Sequence, residues 1–244
     1  MERGVARTIV VTGGGTGIGK AAAKRFRADG DQVVITGRRA GVLEKAAAEL
    51  GAQAFVCDGT DPEQVRRLVL ELPGEVDVLV NNAGGNTDFG APGDEQDLAV
   101  LKSNWIANFD ANVLTAVLMT TALTPRLADG GAVVHLGSIA GTRGAGSYGA
   151  AKSALATWNQ DVAAELGPRG ITSNVVAPGF TAGTEFFQDR LTPQRRERLL
   201  TATMVKRQGE VTDIAAAIHF LASPAARYIT GQTLHSNGGA LTTR

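Results

Sequence analysis

The chain has 244 residues, and its 24 Lys and Arg residues balance 24 Asp and Glu residues, so the formal net charge is zero. This balance and a hydrophobic fraction of 43% argue against a disordered chain and against nucleic-acid binding through net charge. Glycine contributes 31 residues, roughly twice the average usage, without a collagen period. The glycines cluster at a few turns, which indicates backbone lying close to a ligand.

The cysteine count, the histidine spacing and the apolar pattern limit the cellular compartment and the kinds of site that we expect. The single cysteine, Cys57, cannot form an internal disulfide, which fits a reducing compartment. No uninterrupted apolar run reaches the ~18 residues that span a bilayer, and the first residues lack a signal-peptide pattern. We therefore expect a soluble, cytoplasmic protein without membrane or nucleic-acid partners. His135, His219 and His235 show no ligand spacing, so no metal site is predicted, and His219 is expected to be exposed.

Short β-rich runs alternate with longer helical patterns along the chain. Most of the runs are continuously apolar, as in strands that helices cover on both faces. This alternation predicts an α/β fold, a Rossmann-type doubly wound parallel sheet of about seven strands flanked by helices on both faces. Without a linker, repeat or composition break, residues 1–244 are expected to form one domain. The predicted strands are Thr8–Val11, Val33–Thr36, Ala54–Cys57, Val76–Val80, Ala132–Leu136, Thr172–Ala177 and Thr233–His235.

Two long helices and two irregular stretches complete the pattern. The helices are predicted at Asn104–Leu123 and Tyr148–Leu166. The stretches Gly85–Gly93 and Pro178–Thr192 do not fit simple strand–helix units and are expected to be loops. Both follow predicted strands, and ligands of open α/β sheets bind at the carboxyl ends of the strands.

A glycine-rich segment, Thr12–Gly19, follows the first strand and opens the first helix. Glycines let backbone approach a pyrophosphate closely, and a helix N-terminus offers free N–H groups and a positive dipole end. Its spacing is G-x-x-x-G-x-G, neither the common dinucleotide fingerprint nor a Walker A loop. The alternative is a tight turn that needs only flexibility, but five glycines exceed that need. We predict phosphate contacts from Thr12, Gly13, Gly15, Thr16, Gly17, Ile18 and Gly19.

The end of the second strand bears on which nucleotide is bound. An acidic residue there favours NAD, because it binds the adenosine ribose hydroxyls. Here the strand runs into Arg38 and Arg39, and no acid is present. Arginine suits a 2′-phosphate through its planar, bidentate donors, although two solvated surface charges are the alternative. NADP(H) is therefore predicted to be preferred, with NAD(H) left open.

Tyr148 and Lys152 lie four residues apart at the start of a predicted helix, which places them on one face. A tyrosine hydroxyl is a poor acid or base at neutral pH, and a nearby ammonium lowers its pKa by favouring the phenolate. Ser138 follows the fifth strand, where its hydroxyl can orient a substrate oxygen. Most such Tyr-x-x-x-Lys pairs are ordinary helix surface, but this pair accompanies a glycine loop.

Together these motifs resemble the short-chain dehydrogenase/reductase family, in its single-domain branch and near its 3-oxoacyl-[acyl-carrier-protein] reductases and related ketoreductases. The resemblance covers nearly the whole chain. The glycine loop resembles the family's cofactor loop, and Asn81-Asn82-Ala83-Gly84 its second signature. The positions that match the four catalytic residues are Asn112, Ser138, Tyr148 and Lys152, and those that match the nicotinamide segment are Pro178, Gly179, Thr181 and Thr184.

The resemblance implies a dinucleotide-binding oxidoreductase that transfers a hydride between NADP(H) and a ketone or secondary alcohol. Tyr148 is expected to be the general acid in reduction and the base in oxidation, and Ser138 to hold the carbonyl oxygen. Lys152 is expected to lower the tyrosine pKa and to bind the nicotinamide ribose. Asn112 is expected to hold a water in a proton relay.

The same resemblance implies contacts with the adenosine half of the cofactor. Asp58 is expected to contact the adenine edge, and the backbone of Asn82, Ala83 and Gly84 to lie along the adenosine. From the residues alone, Asn82 could equally form a turn and Asp58 could cap the loop after its strand.

The chain departs from the family at the loop before Tyr148. Ser138 precedes Tyr148 by only ten residues, fewer than is usual, so the loop 139–147 must be tight. Its three glycines make such a turn feasible. Ser147 is a poorer substitute for Ser138, because it directly precedes Tyr148 and points off that helix face.

The segment from about 179 to 204 resembles the family's mobile substrate lid. Its apolar residues suit an apolar ketone or a 3-oxoacyl group, although half of them are as easily explained by packing. Its basic run could meet an acidic carrier protein or a CoA phosphate, but is more often a solvated helix face. The positive charge of Arg169 also suits an acidic carrier protein, whereas the negative charge of Asp129, where a basic residue would be expected, does not. The apolar residues are Phe180, Phe186, Phe187, Leu191 and Met204, and the basic run is Arg190, Arg195, Arg196 and Arg198.

The sequence also bears on other functions of this fold and on the assembly state. A non-catalytic NADP-binding regulatory protein is the alternative, but such proteins lose the tyrosine or the lysine, and here both are present. An isomerase, epimerase or dehydratase has less support, because the chain lacks room for extra substrate regions. By resemblance, a homotetramer or homodimer is expected. Trp105 and Trp158 are expected to serve packing or subunit contacts.

Overall fold

The computed structural model describes residues 6–90, 97–187 and 191–243. Within these ranges, seven parallel strands form one sheet in the order β3-β2-β1-β4-β5-β6-β7. The Rossmann-type doubly wound sheet is thereby confirmed. The strands are β1 (Thr8–Thr12), β2 (Gln32–Gly37), β3 (Gln53–Val56), β4 (Val76–Asn81), β5 (Leu127–Leu136), β6 (Thr172–Pro178) and β7 (Thr233–Ser236). The predicted strands match these within about a residue, except that β5 begins at Leu127 rather than Ala132.

Helices cover both faces of the sheet. The described α-helices are α1 (Gly17–Ala28), α2 (Ala40–Leu50), α3 (Pro62–Glu71), α4 (Leu98–Phe109), α5 (Thr115–Leu123), α6 (Ala140–Arg143), α7 (Gly146–Leu166), α8 (Pro193–Thr201) and α9 (Val211–Leu221). The single helix predicted at Asn104–Leu123 is wrong in two respects. It begins earlier, at Leu98, and a π-helical turn at Asp110–Leu114 separates α4 from α5.

The sheet has a buried core on each face, because successive strand residues point to opposite sides. Ile9 and Val11 face one core with Phe26 of α1. Val10, between them, faces the other core with Met119 of α5. The continuously apolar strands follow from this two-sided burial.

Three local predictions have mixed outcomes. Cys57 is buried, as expected, and burial raises its thiol pKa to about 11. His219 is not fully exposed: its Nε2 lies 2.6 Å from Asp29 Oδ2, and its ring centroid lies 5.3 Å from that of Phe26, with the two planes tilted by 46°. Trp158 packs against the core, which is one of the two roles expected for the tryptophans, and Trp105 is 43% exposed, so its expected role in subunit contacts stays a prediction.

The helical stretch Leu98–Arg126 is, by length and composition only, apolar enough to cross a membrane. This stretch contains no long uninterrupted apolar run, because polar residues lie between its apolar ones. Core helices of globular proteins meet the same test, and parts of this stretch pack on α3, α7 and β4.

The strand order reverses between β1 and β4, since the chain runs outward from β1 through β2 to β3 and then returns. Ligands of open α/β sheets bind at such a switch point, beyond the carboxyl ends of the strands. The glycine loop after β1 and the segment Asn81–Gly84 at the end of β4 meet there.

Candidate active site

Asn82 fastens the glycine loop to the end of β4. Its Nδ2 donates to the carbonyl oxygens of Thr12 at 2.9 Å and Gly13 at 3.1 Å. In return, Thr12 Oγ1 accepts the backbone N–H groups of Asn82 and Ala83, both at 3.0 Å. Gly13 has a φ of 64°, and a Cβ there would lie 2.9 Å from Asn82 Nδ2. A Cβ on Gly19 would collide with the Gly13 carbonyl and the same amide.

The loop opens onto an uncapped helix N-terminus. Thr16 is the N-cap of α1, but its side chain accepts no hydrogen bond from the first turn. The N–H groups of that turn therefore remain available to an anion. Gly17, with a φ of 54°, turns the backbone at this point. An open backbone cradle at the end of a helix fits the pyrophosphate of a dinucleotide.

The residues predicted to select the nucleotide lie at the edge of this cradle. Arg38 and Arg39 are both exposed. Arg39 Nη2 lies 2.7 Å from Glu185 Oε2, which ties the end of β2 to the segment after β6. The Asp58 carboxylate accepts the N–H of Thr60 at 3.0 Å and its hydroxyl at 2.8 Å. Asp58 thus caps the loop after β3, which was the structural alternative for this residue.

The segment after β6 also reaches the glycine loop. Pro178 ends β6, and a Cβ on Gly179 would lie 2.8 Å from the Cβ of Asn237. Thr184 packs beside Gly17, where a Cβ would lie 3.7 Å from Thr184 Cα. Thr181 is buried, and its carbonyl accepts the Thr184 hydroxyl at 3.3 Å. The predicted nicotinamide segment therefore lies against the predicted phosphate loop.

Ser138, Tyr148 and Lys152 come together at the carboxyl end of β5. The Ser138 hydroxyl lies beside that of Tyr148, near enough to act on the tyrosine pKa. Lys152, one helical turn further along α7, places its Nζ 5.9 Å from the Tyr148 ring centroid. The same Nζ donates to the carbonyl of Leu136 at 2.7 Å. The tight loop before Tyr148 contains α6 and two glycines with positive φ, Gly144 and Gly146.

Burial controls the protonation of this group. It raises the pKa of Tyr148 to about 12, against a smaller lowering by the neighbouring Ser138 hydroxyl. It lowers the pKa of Lys152 to about 8, because the charged ammonium is desolvated. The net shift of the Tyr148 pKa is therefore upward, while the expected lowering by Lys152 stays a prediction. Desolvation of the phenolate outweighs the groups that favour it.

Asn112 lies in the π-helical turn and is 1% exposed. Its Nδ2 donates to the carbonyl of Gly85 at 2.8 Å, and its Oδ1 accepts the N–H of Gly85 at 3.0 Å. A Cβ on Gly84 would lie 2.6 Å from that Oδ1. The side chain thus fastens the loop after β4, instead of pointing a free amide at Lys152. Single π-turns often mark functional sites.

Sequence reasoning missed a buried polar network beside Tyr148. Ser147 Oγ donates to the Asp88 carboxylate, 2.9 Å from Oδ1 and 3.0 Å from Oδ2. Asn108 Nδ2 donates to Asp88 Oδ1 at 2.7 Å and to Ser147 Oγ at 2.8 Å. Ser147 therefore serves this network and does not replace Ser138. The one available signal was that Asn108 precedes Asn112 by four residues, on the same helix face.

Four phenylalanines form an aromatic cluster over the tyrosine. The Phe186 ring centroid lies 5.4 Å from that of Tyr148, 5.6 Å from Phe89 and 5.0 Å from Phe187. Phe180 joins through Phe187 at 5.6 Å. Met204, expected in the same apolar surface, is instead 68% exposed.

The basic residues of this region have different surroundings. Arg169, a candidate for carrier binding, pairs with Asp129, Nε to Oδ1 at 2.8 Å. Arg196 donates to Gln208 Oε1 at 2.9 Å, and Arg198 is exposed on α8. Arg190 lies outside the described residues. Among the described residues, no three His, Cys, Asp or Glu side chains cluster closely enough to hold a metal ion.

Known proteins resemble this chain over almost its full length. Residues 13–241 match the sequence family described as Enoyl-(Acyl carrier protein) reductase. A galactitol 2-dehydrogenase (L-tagatose-forming) from Cereibacter sphaeroides is 37% identical, covering 94% of this chain and 92% of its own. A 3-oxoacyl-[acyl-carrier-protein] reductase from Haemophilus influenzae is 34% identical, covering 94% and 96%. A crystal structure of a short chain dehydrogenase from Burkholderia cenocepacia in complex with NADP superposes with a TM-score of 0.82 at 35% identity, covering 96% and 97%.

Proposed function

Because the chain belongs to the short-chain dehydrogenase/reductase family, we propose that it is an NADP(H)-dependent oxidoreductase acting on a ketone or secondary alcohol. The observation that carries this proposal is the placement of Lys152 Nζ 5.9 Å from the Tyr148 ring centroid, with the Ser138 hydroxyl beside the same tyrosine. A hydroxyl pair beside a buried ammonium is suited to hold a carbonyl oxygen and to exchange a proton with it.

Each side chain has a distinct task in this proposal. When bound, the nicotinamide supplies or accepts the hydride. The Ser138 hydroxyl donates a hydrogen bond to the carbonyl oxygen, and Tyr148 transfers its phenolic proton to that oxygen during reduction. In oxidation the Tyr148 phenolate takes the proton back from the alcohol. A protonated Lys152 favours the phenolate and binds the nicotinamide ribose. Asn112 acts as a positioning residue by holding the loop at Gly85.

The proposed preference for NADP(H) rests on Arg38 and Arg39. Both stand at the end of β2 without a neighbouring acid in sequence, and both are exposed to a ligand. The Burkholderia cenocepacia relative was solved with NADP, which supports the same cofactor here. Arg39 is paired with Glu185, so its guanidinium must share or leave that carboxylate to meet a 2′-phosphate. NAD(H) remains a second cofactor to be measured.

The substrate is proposed to be an apolar ketone rather than a carrier-bound acyl group. The phenylalanines above Tyr148 supply apolar surface. A 3-oxoacyl-[acyl-carrier-protein] reductase is among the relatives, which keeps the 3-oxoacyl group in view. However, Arg169 is neutralised by Asp129, so this pair offers an acidic carrier little attraction.

We also propose assembly as a homotetramer or homodimer, since Trp105 and Ile106 of α4 are 43% and 50% exposed.

Tyr148→Phe tests this function. We expect NADPH oxidation with a panel of apolar ketones to fall by at least a thousandfold, while the dissociation constant for NADPH changes little. Tyr228→Phe, which removes the other tyrosine, is the matched control and should retain full turnover. Retention of most of the activity by Tyr148→Phe refutes the acid–base role.

A further inference from the structure

Arg195 lies at the rim of the aromatic cluster. It stands in the first turn of α8, where Thr192 Oγ1 accepts its backbone N–H at 3.2 Å. Its guanidinium carbon lies 5.7 Å from the Phe89 ring centroid and 5.2 Å from that of Phe187. The side chain is half-buried. These two rings hold the cation by cation–π attraction in one place, which leaves the edge of the guanidinium to other partners.

The guanidinium has no carboxylate partner among the residues that the structure describes. Two acids on the segments that surround it are already engaged. Asp88 accepts hydrogen bonds from Ser147 and Asn108, and Glu185 pairs with Arg39. A half-buried arginine that two rings hold in place, and that pairs with no described carboxylate, has the properties of an anion-binding subsite.

An apolar path connects this subsite to the catalytic tyrosine. Phe186 touches Tyr148 with a centroid separation of 5.4 Å, and it touches Phe89 at 5.6 Å. Phe89 in turn lies under Arg195. The rings of Phe186 and Phe89 therefore link the Tyr148 ring to the guanidinium of Arg195. A substrate that spans the distance from Tyr148 to Arg195 needs a carbonyl at the tyrosine, an apolar body along the rings and an anion at the guanidinium.

We propose that Arg195 binds the carboxylate of the substrate, and that the substrate is a ketone whose apolar body ends in a carboxylate. The inference rests on the proposed function, because it places the reacting carbonyl at Tyr148. A carboxylate matches the planar donor edge of a guanidinium in two-point contact. The apolar body packs among Phe89, Phe186 and Phe187.

Paired substrates test this assignment. Methyl-ketone carboxylates of increasing chain length, from levulinate upward, are compared with their methyl esters under saturating NADPH. At the best chain length we expect kcat/KM of the acid to exceed that of the ester at least tenfold. In Arg195→Gln that ratio should fall to near one. Arg198→Gln removes an equal charge from the same helix and should keep the wild-type ratio. An equal kcat/KM for acid and ester in the wild type overturns the assignment, as does an unaltered ratio in Arg195→Gln.

A binding experiment separates this inference from the proposed function. If no ketone in either form is reduced, the proposed function fails, and the subsite is then judged by binding alone. Octanoate and octanol are added separately to the NADPH-loaded protein, and the thermal unfolding midpoint is followed. Stabilisation by octanoate that Arg195→Gln loses supports the subsite. Equal effects of octanoate on the wild type and on this variant overturn it.

Discussion

Phe186→Ala is expected to lower the pKa of Tyr148. Burial is the largest influence on that pKa and raises it to about 12, and the Phe186 ring lies 5.4 Å from the tyrosine ring. Phe186 is itself half-buried, so its removal opens a route for water to the phenol. Hydration stabilises the charged phenolate, and the pKa moves back toward its ordinary value.

The size of the effect follows from how far burial raises the tyrosine pKa. A rise from 10.0 to about 12 corresponds to about 3 kcal/mol against the phenolate. Phe186 covers one side of a ring that the rest of α7 and the sheet still enclose. Restoring water on that side should recover roughly a third to a half of this free energy, which lowers the pKa by roughly one. At a fixed pH below the pKa, the phenolate population then rises about tenfold.

Phenolate absorbance in the near ultraviolet measures this pKa directly. Stopped-flow pH jumps read the ionisation before alkaline unfolding, and subtraction of the Tyr148→Phe signal removes Tyr228, the only other tyrosine. Phe187→Ala is the control, because Phe187 packs on Phe89, Phe180 and Phe186 within the same cluster and should change the pKa less. A Tyr148 pKa that stays the same or rises in Phe186→Ala contradicts the reasoning.

Three further perturbations test the buried parts of the site. Asn108→Ala removes two donated hydrogen bonds and one accepted from Thr87 N–H, and should lower the free energy of unfolding by about 2–4 kcal/mol. Ser103→Ala on the same helix should change it little, and equal denaturant midpoints for the two variants would count against a stabilising role of the network. Burial lowers the pKa of His135 from 6.5 to about 3, so the unfolded chain binds the proton first and the free energy of unfolding decreases as the pH falls from 6.5 to 3, by at most about 1.4 kcal/mol per pH unit. His135→Gln should flatten that part of the pH–stability curve, and an unchanged slope would show that His135 is not its origin. Gly19→Ala should weaken NADPH binding at least tenfold in a fluorescence titration, because the new Cβ collides with the Gly13 carbonyl. Gly41→Ala, whose Cβ has no other atom within 4 Å, should bind normally, and tight binding by the Gly19 variant would show that the loop does not hold the cofactor.

The strands could be predicted because their determinants are local. Two-sided burial makes each strand a continuous apolar run, and the parallel order follows from the intervening helices. β5 was predicted too short because its first half is polar: Asp129, Gly130 and Gly131 separate Leu127 from Ala132. The π-turn at Asp110–Leu114 carries no comparable signal, since its residues suit an ordinary α-helix equally well.

The motif residues of the candidate site were predictable, but their side-chain environment was not. Ser138, Tyr148 and Lys152 meet because strand ends and one helix face bring them together, as their spacing indicates. The contacts between Asp88 and Ser147, and between Arg39 and Glu185, join positions 59 and 146 residues apart. Such pairs depend on how loops pack after the sheet has formed. The raised tyrosine pKa has the same origin, because burial by Phe186 is a tertiary effect.

Deuterium carried from the cofactor to the product reports hydride transfer itself. NADPH carrying deuterium at both hydrogens of nicotinamide carbon four is mixed with the wild-type protein and an apolar ketone for a single turnover, and the alcohol is analysed by mass spectrometry. We expect one deuterium on the carbinol carbon in the wild type and no labelled alcohol with Tyr148→Phe, although both proteins bind NADPH. Bound cofactor in the wild type without deuterated alcohol from any ketone in the panel would contradict hydride transfer as the function of this chain.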